Sequence, residues 1–380
     1  MLYLRAMART EQEPSPERLL DVPQADLDDL QARLRNTRWA RPWPLENWQA
    51  GADGATMRRL VEYWADGYDW RAQQEHINRL PHRFAEIGGI RVHYLRFDGG
   101  LGLPLLLGNG WPSTFLEMVD LARKVADRGF TVVVPSLPGF TFSAVRPSLD
   151  ESPPTHEIWH RLMRDELGFE RYGVHGGDLS SRHAGLLAQA HPESVVGVHL
   201  LDVDNSLHEG DTDVTDEERE FLAAEADWQL REGAYSHQQR TRPLTLAQGL
   251  SDSPSGLLAW ILEKYRAWSD CGGDVSSRFS DEFLVTQASL YWFTDTISSS
   301  FRDYYERGNG YSPLVVRVEA PTALTWFPND IGALPPRSWL ERRYNLTRYT
   351  VMPRGGHFAP VEEPDLLAEE ITRFFREVAD

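Results

Sequence analysis

Three short segments hold the residues whose types and spacing could do chemistry. The first is Tyr172-Gly-Val-His-Gly-Gly-Asp-Leu-Ser-Ser-Arg-His-Ala-Gly185. A strand pattern meets a helix pattern there through Gly176-Gly177-Asp178-Leu179-Ser180, a small-x-nucleophile-x-small turn with a carboxylate at its tip. A tight, strained turn needs small flanking residues, and the N-terminus of the following helix favours an anion. Asp178 therefore reads as a nucleophile, although an Asp in this place is equally consistent with an ordinary helix N-cap. Ser180 and Ser181 are rival nucleophiles whose spacing leaves neither at the tip. The second segment, Arg354-Gly355-Gly356-His357-Phe358, puts His357 after the last strand pattern, where a general base belongs. The third, Trp326-Phe327-Pro328-Asn329-Asp330, supplies Asp330 as the acid that orients the base. Asp202 and Asp204, after the strand pattern ending near Leu201, are alternative acids. The order Asp178, Asp330, His357 is the nucleophile, acid, base order that goes with such a turn. Two backbone N–H groups, of Leu179 and of Trp111 in Gly108-Asn109-Gly110-Trp111-Pro112, read as an oxyanion hole. The latter run is also consistent with an ordinary Gly/Pro turn.

The elements that must carry these residues follow from periodicity. Arg83 to Ile87 and Ile90 to Phe97 read as a hairpin around Gly88-Gly89. Pro104 to Leu107, Thr131 to Pro135, Tyr172 to His175 and Val195 to Leu201 read as strands. Helical patterns over Phe115 to Arg128, His156 to Leu167 and Arg182 to His191 alternate with them. This rhythm predicts an α/β fold, a mostly parallel sheet flanked by helices. It breaks between Asp211 and about Gly310, which reads as helices only and predicts a cap above the strand ends. Strand patterns return at Pro321 to Trp326 and Arg348 to Met352, with a last helix through Leu366 to Phe375. Ahead of the sheet, Leu27, Leu30 and Leu34 recur at helical spacing, and a second helix is predicted near Met57 to Tyr68. Residues 1 to about 17 have no period and are expected to be disordered. The expected divisions are 1–82, 83–208, 209–312 for the cap, and 313–380.

With 380 residues, 41% of them hydrophobic, the chain can bury a sizeable core. Its apolar runs have strand length, far from the ~20 residues of a membrane span. No secretory h-region opens the sequence, so a soluble, cytoplasmic protein is expected. Cys271 is the single cysteine, which excludes an intrachain disulfide. The net charge of −18 disfavours nucleic acid and anionic membranes as partners. No His/Cys/carboxylate spacing suggests a metal, and no cofactor is expected. Lys124 and Lys264 are the only lysines beside many arginines, a bias of GC-rich bacterial genomes.

Taken together, these motifs resemble the α/β-hydrolase-fold epoxide hydrolases that carry an extra N-terminal segment, the microsomal and juvenile-hormone type and their bacterial relatives. The resemblance rests on Leu27 to Trp39, on Val61 to Trp70 and on Asn78. Four core motifs then follow in order: Gly110-Trp111-Pro112, Pro135-Ser136-Leu137-Pro138-Gly139-Phe140, Gly176-Gly177-Asp178 and Gly355-Gly356-His357-Phe358. It implies an epoxide hydrolase with an N-terminal wrapping segment, acting on a small-molecule epoxide of aromatic or hydrophobic character. It also implies two cap tyrosines that hydrogen-bond the epoxide oxygen. Tyr235 and Tyr304 match, with Tyr305 adjacent to the latter. Three departures stand out. Asn109 replaces the usual His of the oxyanion loop, Leu179-Ser180 follows the nucleophile in place of Trp-Gly, and Asp330 stands where Glu is frequent. They point to a reshaped site and a specialised bacterial metabolite as substrate; a homodimer is left open. Two rivals remain: a haloalkane or haloacetate dehalogenase, and a binding or ring-opening biosynthetic protein of the same fold.

Overall fold

The computed structural model describes residues 19–379 apart from Leu101 and Glu209; the disorder expected for residues 1 to about 17 lies outside the described residues. Strands β1 (His82–Ile87), β2 (Ile90–Phe97), β3 (Pro104–Gly108), β4 (Thr131–Pro135), β5 (Tyr172–Gly176), β6 (Val195–Leu200), β7 (Val318–Trp326) and β8 (Tyr344–Val351) form one sheet in the order β1-β2-β4-β3-β5-β6-β7-β8. The β1–β2 and β2–β4 pairs are antiparallel and the others parallel. Gly88 and Gly89 both have positive φ, 60° and 76°, as a two-residue hairpin turn demands. β4, β5 and β6 are buried at every residue. That burial on both faces explains why β4 reads as a continuous apolar run rather than as alternation.

Helices α1 (Gln24–Arg35), α2 (Gly54–Glu62) and α3 (Trp70–Asn78) precede the sheet. α1 buries Leu27, Leu30 and Leu34, the residues at helical spacing. α3 was not predicted from the sequence; the Asp69 side chain caps it by accepting the Ala72 N–H at 3.0 Å. Helices α4 (Met118–Ala126), α5 (Thr155–Arg161) and α6 (Leu179–Ala190) connect the parallel strands. A single π turn extends α2 over Tyr63–Gly67 and another extends α5 over Leu162–Glu166. Between β6 and β7 lie α7 (Asp216–Glu232), α8 (Ala234–Thr241), α9 (Pro243–Leu250), α10 (Pro254–Ala267), α11 (Asp281–Thr294), α12 (Ile297–Ser300) and α13 (Arg302–Gly308), the helical insertion. Helices α14 (Arg337–Glu341), α15 (Ala359–Glu362) and α16 (Pro364–Ala379) complete the chain, and α16 packs on α4.

The N-terminal segment is fastened within itself and to the helical insertion. The Asn78 side chain accepts the Leu20 N–H and donates to the Leu20 carbonyl, both at 2.8 Å, and Gln74 accepts the Val22 N–H at 3.0 Å. On the other side Arg33 pairs with Asp252 at 2.9 Å, Arg59 pairs with Asp281, and the Tyr68 and Thr286 hydroxyls meet at 2.8 Å. Among the described residues no helix is long and apolar enough to cross a membrane.

Candidate active site

β5 runs out at Gly176, and two residues later Asp178 takes φ 53°, ψ −129°, a strained conformation for a non-glycine residue, before α6 begins at Leu179. The turn closes only over small neighbours. A Cβ on Gly176 would come within 2.3 Å of the Ser180 carbonyl oxygen, and one on Gly110 within 2.1 Å of Asp178 Oδ1. The Trp111 N–H donates to Asp178 Oδ1 at 2.8 Å, so one half of the expected oxyanion hole already holds the carboxylate. Leu179, the source of the other half, is the first residue of α6. Ser180 Oγ donates to the Asn109 carbonyl, and Ser181 Oγ to the Gly176 carbonyl at 2.8 Å, so both hydroxyls are committed to backbone.

His357 is brought to Asp178 by the loop after β8. Its Nδ1 lies 2.7 Å from Asp330 Oδ1 and its Nε2 3.6 Å from Asp178 Oδ2. The His357 N–H donates to the Trp268 carbonyl at 2.8 Å, and the Trp268 ring stands edge-on to the imidazole. Burial alone would lower the His357 pKa, but Asp330 and Asp178 outweigh it and hold it well above its ordinary value. The alternative acids have other partners. Asp202 Oδ2 accepts the Asp178 N–H at 2.6 Å, and Asp204 pairs with Arg307 at 3.1 Å. Burial, with Asp178 and Asp330 close by, pushes the Asp202 carboxyl up to about 8.

The cap supplies the opposite wall. Tyr235, on α8, stacks on the Trp111 ring at 5.6 Å and 10°. Tyr304, on α13, meets Tyr235 edge-on at 6.0 Å. Both are buried, whereas Tyr305 is half-buried and does not line the cavity. Tyr304 Oη is buried without a hydrogen-bond partner of ordinary geometry. Burial, and then the negative charge of Asp178, raise the pKa of both phenols, so each keeps its proton.

Two cavities flank the carboxylate. A large one of about 460 Å³ contains Asp178, Tyr235 and Tyr304, with Trp228, Trp326, Arg182 and Glu225 farther out. A small one of about 20 Å³ contains Asp178, His357, Asp330 and Glu117. Asp178 and Asp202 are the two residues that line both. Glu117 escaped the sequence reading; a lone acid in Phe115-Leu116-Glu117-Met118, among apolar neighbours, was the available signal. One group with metal-ligand residues lies apart from this site. His160, His191 and Glu193 bring potential ligand atoms within 4.8 Å. The two imidazoles stack in planes 3° apart with centroids 3.5 Å apart, so in this conformation their lone pairs cannot converge on one ion.

Comparison with known proteins agrees with this architecture. Residues 16–118 match the family described as epoxide hydrolase N terminus, and residues 104–364 match that of the alpha/beta hydrolase fold. Epoxide hydrolase 1 of Sus scrofa is 32% identical over 93% of this chain and 87% of its own. The solved structure of the Aspergillus niger epoxide hydrolase superposes with a TM-score of 0.80 at 30% identity, covering 94% of this chain and 95% of that one. The juvenile hormone epoxide hydrolase of the silkworm Bombyx mori superposes with a TM-score of 0.85 at 28% identity, covering 95% and 94%. The chain is a hydrolase that belongs to the epoxide hydrolases of the α/β-hydrolase fold.

Proposed function

We propose that the chain converts an epoxide to a vicinal diol through an alkyl ester on Asp178. The observation that carries the reading is the position of this carboxylate between the tyrosine-lined cavity and the His357 imidazole. In the first step an Asp178 oxygen attacks an epoxide carbon and the C–O bond of the ring breaks. Tyr235 and Tyr304 hydrogen-bond the departing oxygen, and one of them yields its proton to it. A carboxylate suits this step because the ester it forms can be hydrolysed, whereas a serine would form an inert ether.

Ester formation removes the charge of Asp178, one of the two carboxylates that keep His357 protonated. The imidazolium gives up its proton, which restores the phenol, and the neutral imidazole becomes available as a base. It takes a proton from water while the water oxygen bonds to the ester carbonyl carbon. The Trp111 and Leu179 N–H groups hold the tetrahedral oxyanion. Collapse breaks the bond to the alkyl oxygen, which leaves with the proton from His357. The second proton of the water passes from the regenerated Asp178 carboxyl to His357, which restores the carboxylate and the imidazolium. Asp330 orients His357 and balances its charge.

Aromatic groups (Trp228, Trp326, Phe221) and polar ones (Arg182, Asn205, Glu225) share the outer cavity wall. That mixture suits a large aromatic epoxide with oxygen substituents, such as a specialised bacterial metabolite. The dehalogenase reading is weaker because Leu179 stands where a halide-binding Trp is expected. The test is diol formation from aryl and alkyl epoxides by the wild type and by Asp178→Ala, beside halide release from haloalkanes. Diol from the wild type alone supports the reading; halide release without diol overturns it.

A further inference from the structure

We propose that Glu117 is a positioning residue that holds the hydrolytic water behind Asp178, so that it governs ester hydrolysis and not ester formation. The inference rests on the Asp178 ester proposed above. Three observations lead to it. First, the two cavities meet only at Asp178 and Asp202. The epoxide needs the large cavity, where the tyrosines are, so the water that follows has the small one. Second, the small cavity, at about 20 Å³, has room for about one water, which needs at least ~10–15 Å³ and two to four polar partners. His357 offers one partner. Glu117, 3% exposed, lines the same cavity and offers another. Third, Glu117 is held from behind. Ser113 Oγ donates to its Oε2 at 2.5 Å, and Tyr265 Oη donates to its Oε1. Tyr265 is itself fixed by stacking on Phe358, the residue after His357, at 4.3 Å. One lone pair of each Glu117 oxygen is thereby used and one is left. Burial raises the Glu117 carboxyl to about 7 against the pull of Ser113, Tyr265 and His357, so a buried acid is retained here at a cost in stability.

A water gripped by Glu117 and His357 gives one proton to His357 Nε2 as its oxygen bonds to the Asp178 carbonyl carbon. The second hydrogen stays hydrogen-bonded to Glu117 and fixes the direction of attack. Loss of one grip leaves the base in place but lets the water wander, and a misplacement of about 1 Å costs on the order of 100-fold in rate.

The test is Glu117→Gln, with Glu117→Asp and Tyr265→Phe as companions. Each is mixed rapidly with a substrate epoxide, and the ester is followed by quench and intact-protein mass. For Glu117→Gln, ester formation is expected within about 2-fold of wild type, with hydrolysis slower by about 100-fold and ester dominating at steady state. Tyr265→Phe, which loosens the clamp, should slow the same step less. If both steps fall together, or if neither changes, Glu117 does not position the water. If Glu117→Gln fails to fold, the other two variants decide by the same split. If no ester appears even in His357→Gln, the underlying Asp178 reading fails, and the two failures are thereby distinguished.

Discussion

Tyr304→Phe should make the protein more stable and much less active. The Tyr304 hydroxyl is buried and has no hydrogen-bond partner of ordinary geometry. Its neighbour within the protein is the Tyr235 hydroxyl, and a buried hydroxyl so poorly paired costs up to about 1–3 kcal/mol. Unfolding entropy of about 2.1 cal/mol/K per residue gives roughly 0.8 kcal/mol/K for a chain of this length. Removal of the hydroxyl should therefore raise Tm by about 1–4 °C. In the mechanism proposed above, the same hydroxyl is one of two donors to the developing alkoxide. Loss of a sole donor of this kind costs about 10²–10³ in rate, and Tyr235 remains, so a fall of about 10–100-fold is expected in ester formation. Tyr235→Phe combined with it should reduce the step by 10³ or more, about the product of two such losses. Thermal melts and rapid-quench ester formation read the two effects separately. A lower Tm with unchanged ester formation would refute the reasoning, because the hydroxyl would then be a structural group and not one kept free for substrate.

His357→Gln should form the ester at near-normal rate and then stop, visible as substrate mass on the intact protein. Asp330→Asn should slow hydrolysis by about 10²–10⁴-fold with ester formation less affected, measured in the same quench experiment. The Asp202 carboxyl, held up to about 8, keeps a proton in the folded chain that an ordinary Asp has released above about 4. Its share of stability is present below about pH 4 and lost as pH rises through about 8. Asp202→Asn keeps an acceptor for the Asp178 N–H and removes the titration, so its Tm advantage over wild type should grow between pH 5 and 9. Parallel melting curves would count against this. Gly110→Ala would put a Cβ 2.1 Å from Asp178 Oδ1, so diol formation should fall by at least about 100-fold, as for a displaced reacting group.

The parts of the molecule legible in the sequence are those whose signal is local. The elbow around Asp178 announces itself by a tight turn that tolerates only small neighbours, and β3 and β4 by short apolar runs. β8 was read too short because Tyr344 and Leu346 face inward while Asn345, Thr347 and Arg348 are more exposed, as suits an edge strand with no apolar run. β7 begins at Val318 rather than Pro321, since its first residues pair across an irregular register. α6 starts at Leu179 and not Arg182, because the elbow leads straight into the helix. The choice between Tyr304 and Tyr305 was open for a geometric reason: neighbours on a helix point about 100° apart, and spacing to a distant partner cannot select one. Asp202 was legible as an acid after β6. Its hydrogen bond to the Asp178 N–H depends on how two strand ends lie side by side, which no single segment encodes. Glu117 was hidden inside a helix pattern, where an acid ordinarily faces solvent.

The ties of the N-terminal segment bear on how substrate gets in. Asn78 and Gln74 fasten residues 20–22 against α3, while Arg33, Arg59 and Tyr68 reach across to the loop before α10 and to α11. The segment thus works as a strap closed on itself at α3 and buckled to the insertion, and swinging the insertion away as a lid would break the Arg33, Arg59 and Tyr68 ties together. Entry and exit then fall to the rim of the large cavity, lined in part by the exposed Arg240 and by Arg307, whose ion pair with Asp204 a change of rotamer would break. A doorway of that kind passes molecules by width and charge, without opening of the whole upper half.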